Sequence, residues 1–215
     1  MSYAYRPRRA PLTQIIDDLK AWTYRELQEV SNNLLARRSG WQDLRVPVTS
    51  TRKGGSKDPD FVKVEDDGSG SQGVFAQHFS PTQEEELYFE AQLQHGRVQN
   101  EDLRPHVHWL PTTTNTGTVR WGLEYTIANV NGTFGNTQII YAEDAADGTV
   151  NKHQVKGFTY IDGSGVKDSA MLICRIFRDA THANDTYTGD AALLEVDFHV
   201  LLRQHGSDSE YGTVT

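Results

Sequence analysis

The sequence predicts a mainly β protein: an antiparallel β-sandwich of jelly-roll type carrying one N-terminal amphipathic α-helix. Three observations lead there. Apolar residues recur at helical spacing between Pro11 and Arg38. From about residue 73 onward they alternate with polar residues, the period-two pattern of half-buried strands. Turn signals at Asn131–Gly132, Asp147–Gly148 and Asp162–Gly165 separate the alternating runs. Eight or so strands with one apolar face each must close against one another, and no fixed-period repeat points to a propeller or solenoid.

The chain divides into a basic arm and anchor helix over 1–40, a linker with edge strands over 41–72, and a sandwich body over 73–215. Residues 41–215 are expected to fold as one unit. In the helix, Leu12, Ile16, Leu19, Leu27, Val30 and Leu34 form one stripe; Thr23 fills its gap, and Ile15, Trp22 and Tyr24 widen it. Pro11 suits the first turn, Arg37 and Arg38 suit the negative end of the dipole, and Gly40 suits a left-handed cap. A lone helix of this length is marginal in water, so its stripe must meet a partner. The expected partner-binding residues are therefore Leu12, Ile16, Leu19, Trp22, Leu27, Val30, Leu34, Arg37 and Arg38. Thr23 and the uneven spacing argue against a regular heptad coiled coil.

Residues 41–72 mix short β-prone pieces with Gly, Ser, Pro and Asp, as a linker and edge strands do. In the next clear strand Leu87, Phe89, Ala91 and Leu93 face one way and Tyr88, Glu90 and Gln92 the other. Further strands are expected at 73–79, 103–110, 118–130, 137–141, 152–161 and 169–178. In the last strand Leu194, Val196, Phe198, Val200 and Leu202 should point inward, opposite Glu195, Asp197 and His199.

Charge is unevenly spread over a formal net of −8: residues 1–57 hold 11 Lys/Arg against 5 Asp/Glu, and residues 58–215 hold 10 against 24. An acidic body repels phosphate, which excludes nucleic-acid binding over the main surface. A single cysteine excludes an internal disulfide and a cysteine zinc site, and Cys174 within "AMLICRIF" reads as a small core residue. No apolar run of membrane-spanning length occurs, so a soluble chain made in the cytoplasm is expected.

Candidate chemistry centres on "RPHVHWL", where His106 and His108 share one strand face. His199, with Glu195 and Asp197 on the same polar strand face, could supply a third metal ligand, but no carboxylate follows His-x-His at the spacing a cupin uses. The preferred expectation is a polar sheet face with no metal, no cofactor and no catalysis. The loop "KGGSKDP" reads as a flexible linker, no G-x-S-x-G elbow occurs, and Glu84–Glu86 and Asp66–Asp67 read as solvated runs. The loop 179–191 has Ca²⁺-ligand residue types without an EF-hand spacing and reads as a long hairpin loop. Trp109, Trp121 and Tyr125 read as core rather than as a sugar platform.

Taken together and in this order, "EEELYFEAQLQHG", "DLRPHVHWLPTT", "TVRWGLEYTIANVNGTF", "DSAMLICRIFRDA" and "LLEVDFHVLLRQHGSDSE" resemble a family of small structural proteins of tailed bacteriophages. The resemblance spans about residues 41–210. It implies a virion component with a jelly-roll-like body and no known catalytic role, in which His106, His108 and His199 serve a shared structural use. It implies assembly in the host bacterial cytoplasm, and portal, adaptor, tail or capsid proteins as partners at the neck, tail or capsid surface. A homotrimer is favoured by analogy, and neither membrane nor nucleic acid is expected as a partner. The alternative is a cupin- or lectin-like module that binds a metal through the histidines or a carbohydrate through the tryptophans, host receptors included.

Overall fold

A computed structural model describes residues 11–36 and 39–203. The chain divides into two compact units at Ser39/Gly40.

The first unit is helix α1, Leu12–Ala36. Its ladder opens with the Ile15 amide donating to the Pro11 carbonyl at 3.1 Å. Thr23 donates its hydroxyl back to the Leu19 carbonyl, so the polar residue in the apolar stripe is satisfied locally. Leu12, Ile16, Leu19, Trp22, Leu27 and Val30 are all exposed, between 43% and 73%. The side chain of Leu34, and Arg37 and Arg38, lie outside the described residues.

The second unit holds ten strands: β1 Ser39–Pro47, β2 Asp60–Glu65, β3 Val74–Phe79, β4 Glu85–Gln92, β5 Arg104–Pro111, β6 Thr118–Ala128, β7 Gln138–Ala145, β8 Gln154–Gly157, β9 Met171–Arg178 and β10 Ala191–Arg203. One sheet runs β2-β3-β10-β5-β8, with β1 also pairing β10; the other runs β4-β9-β6-β7. Successive strands cross repeatedly from sheet to sheet, and the recorded registers are antiparallel. This is a mainly β, jelly-roll-type sandwich with one N-terminal helix, as the alternation predicts.

Both inner faces meet in one core. Phe79, Leu87, Phe89, Trp109, Trp121, Leu123 and Phe198 are buried there, with Phe79 and Trp109 both packed edge-on against Trp121. Each such side chain contributes about 1.5–3 kcal/mol on burial. Cys174 is buried in the same core, and its burial pushes the thiol pKa well up, which makes it an unreactive filler. Trp109, Trp121 and Tyr125 are core as expected, and no sugar can stack on them.

The stretch 41–72 holds most of β1 and all of β2, with β2 at the edge of the larger sheet. Two expectations need correction. Gly40 does not cap the helix but lies in β1. On β10 the inward set is Ala191, Leu193, Val196, Phe198, Val200 and Leu202, because the register slips between Leu193 and Glu195. A β-bulge inserts one residue, so Leu194 turns to the outer cluster with Ala76, Leu110 and Ala192.

The loop 179–190 is held from beneath by Arg178, which is fully buried. Its guanidinium forms a two-pronged pair with Asp185 at 3.0 and 2.8 Å and donates to the carbonyls of Phe79, Gly189 and Tyr187. Arg120 holds the Asp179 carboxylate at 3.0 Å. Two carboxylates of the possible Ca²⁺ loop are thus engaged by arginines.

Candidate functional site

The outer face of the β5–β10 pair gathers the titratable side chains. Val107 and Trp109 are buried in the core, so alternation sends His106 and His108 outward. After the bulge, β10 is in step with them: Asp197 lies opposite His106, Glu195 opposite His108, and His199 opposite Arg104. Strand β1 along β10 brings Asp43 and Arg45; β8 brings Gly157 opposite His106. A Cβ at Gly157 would sit 3.3 Å from the His106 ring, so glycine leaves the imidazole its room.

Asp197 is the hub. Its side chain is 2% exposed, with His106 Nδ1 3.4 Å from one carboxylate oxygen. His199 Nε2 and His108 Nε2 lie 3.3 and 3.6 Å from the other. Burial pushes the Asp197 carboxyl up, but the three histidines outweigh it and hold the group below the usual carboxylate range. His106 and His199 rings pack 4.0 Å apart between centroids. Asp43 Oδ1 reaches His199 Nε2 at 3.0 Å from β1. On the far side His108 Nδ1 and His153 Nε2 share a hydrogen bond of 2.9 Å. Glu195 accepts both prongs of Arg45 at 2.6 and 2.5 Å. Asp43, Arg45, His108, His153, Glu195 and Asp197 line a shallow depression here.

Beside this cluster the Arg104 guanidinium sits 3.8 Å from the centre of the Trp41 ring and 4.9 Å from that of Tyr160. Both rings are exposed. They, with Asp43 and His153, escape sequence reasoning because β1 and the β8 region reach this face only through long-range pairing.

The remaining candidates separate. Glu84 and Glu86 converge on Arg175 instead of lying free in solvent, and Glu85 is buried, accepting the Ser80 amide. Asp66 and Asp67 accept amides of Gly68, Ser69 and Ser71 in a tight turn. In the "KGGSKDP" loop the Gly55 amide donates to Asp58, and Lys57 pairs with Glu84. No helix among the described residues is long and apolar enough to cross a membrane.

No protein-family model matches the sequence, and no curated protein does. Solved structures with a similar backbone include CBM35 from Cellvibrio japonicus Abf62, at 9% identity and TM-score 0.38, covering 77% of this chain and 100% of that one. A second is the CBM22-2 xylan-binding domain from Paenibacillus barcinonensis Xyn10C, at 10% identity and TM-score 0.42, covering 74% and 98%. A third is TmCBM61 in complex with β-1,4-galactotriose, at 17% identity and TM-score 0.32, covering 76% and 88%.

Proposed function

We propose that this chain is a non-enzymatic building block: a jelly-roll body that multimerises through α1, as a virion component of a tailed bacteriophage at the neck, tail or capsid surface. The observation that carries the assembly reading is the exposed apolar stripe of α1. Six large apolar side chains on one helix face leave a surface that water opposes. The occupant that fits is the same helix from further copies. The stripe, widened by Ile15, Trp22 and Tyr24, exceeds the narrow seam of a two-stranded coil and suits a bundle of three or more. The opposite face carries Gln14, Arg25, Gln28 and Asn32, polar residues suited to solvent. The virion setting rests on the resemblance of the quoted stretches, and the portal, adaptor, tail or capsid proteins follow as further partners.

Particles purified from the source are expected to contain the chain at stoichiometric copy number by quantitative mass spectrometry. A form lacking residues 1–38 should remain in the lysate, and equal incorporation of that form would contradict the reading.

A second reading, a module that binds carbohydrate on the outer face of the larger sheet, is favoured by the exposed rings of Trp41 and Tyr160 flanking Arg104. An exposed aromatic pair beside polar side chains is a surface on which a pyranose ring can stack. Glycan-array binding by the full chain, lost at least tenfold in Trp41→Ala, is the outcome this reading expects. An array without signal removes it.

A further inference from the structure

The β5–β10 face holds donor atoms arranged as ligands are arranged around an ion. One ring nitrogen each of His106 and His199 and a carboxylate oxygen of Asp197 all lie within 4.8 Å of one another. His106 Nδ1 lies 3.4 Å from one Asp197 oxygen and His199 Nε2 3.3 Å from the other, so the carboxylate stands between the two rings at separations that ligands each about 2.0–2.1 Å from one ion can adopt. They are long for hydrogen bonds. His106 Nδ1, His108 Nε2 and Asp197 Oδ1 are in fact buried without a hydrogen-bond partner among the described residues. Buried polar atoms are normally satisfied, and a buried carboxylate is normally paired or bound to metal.

Ion pairing within the protein does not account for the cluster. Asp43 pairs with His199, and Asp197 stands against all three imidazoles, yet His106 Nδ1, His108 Nε2 and Asp197 Oδ1 are left without a hydrogen-bond partner among the described residues. A dication gives these unpaired nitrogen and oxygen atoms a shared partner. We propose that His106, Asp197 and His199 bind a first-row divalent transition ion of the Zn²⁺ class. His108 Nε2 stands 3.6 Å from Asp197 as a possible fourth ligand, oriented by its hydrogen bond to His153 as outer partners orient metal-binding histidines. Asp43 offers a second carboxylate from β1. Two imidazoles and a carboxylate select such ions over Ca²⁺ or Mg²⁺, which prefer oxygen throughout. The part-exposed histidines leave a way in from solvent. The ion's place at the junction of β5 and β10, with β1 alongside, makes it a clamp on the sheet.

The test uses the full, untagged chain after dialysis against EDTA, titrated with Zn²⁺ and with Co²⁺. One ion per chain, a visible Co²⁺ absorption band and a raised thermal midpoint are expected. Asp197→Asn and His199→Gln should each weaken uptake by about 10-fold or more. If Asp197→Asn fails to fold, His199→Gln, at a part-exposed position, decides alone. A folded wild-type chain that takes up neither ion overturns the site, as does uptake unchanged in His199→Gln. A multimer without metal uptake would overturn this site and leave the assembly reading standing.

Discussion

Arg178→Met is expected to lower the unfolding free energy of the sandwich by about 3–5 kcal/mol, because it strands the buried Asp185 carboxylate and three carbonyls that now accept from one guanidinium. Arg178 is fully buried and Asp185 nearly so. The Asp185 carboxylate keeps the hydrogen bond it accepts from the Arg120 amide at 2.9 Å. The loop carries Tyr187, itself buried in the core with its hydroxyl accepting the Thr113 amide at 2.9 Å. Loss of the clamp therefore reaches the packing of Trp109, whose ring meets Tyr187 edge-on. Urea unfolding followed by tryptophan fluorescence measures the change through the shift in midpoint. A shift worth less than about 1 kcal/mol is the size of an exposed ion pair and would contradict a buried clamp.

The second large effect concerns association. Leu19 and Leu27 lie in the exposed stripe of α1, and burying one leucine is worth about 2 kcal/mol. Replacing both with glutamate removes about 4 kcal/mol of burial per chain and places like charges where copies meet. The association constant should fall by at least roughly a thousandfold, at about 1.4 kcal/mol per factor of ten. The body should be untouched: thermal unfolding of the sandwich is expected to match the wild type under conditions where both are dissociated. A double variant that assembles as strongly as the wild type would place the interface elsewhere.

The strands were legible where the chain alternates strictly. In β4, Leu87, Phe89 and Ala91 are buried while Tyr88, Glu90 and Gln92 are exposed, as period two requires. The pattern fails at Leu194, since an inserted residue shifts the phase and nothing local in "LLEVDF" announces it. Strand β1 was obscure for another reason: of its residues only Val46 is buried, so the pairing with β10 rests on backbone bonds that leave little apolar trace. The same distinction governs the site. His106 and His108 share a face by spacing alone, and the search for a carboxylate a few residues downstream finds none. The carboxylate comes from across the sheet, from Asp197, directly opposite His106. Asp43 and His153 join through strand order, which a single sequence does not reveal.

Everything in the assembly reading turns on the company α1 keeps, and sedimentation equilibrium of the intact chain measures that most directly. The account predicts a mass at a whole multiple of 24.2 kDa, with three copies favoured, that persists on dilution into the low micromolar range. A single species of 24.2 kDa at every concentration, with the stripe still exposed to solvent, would contradict it.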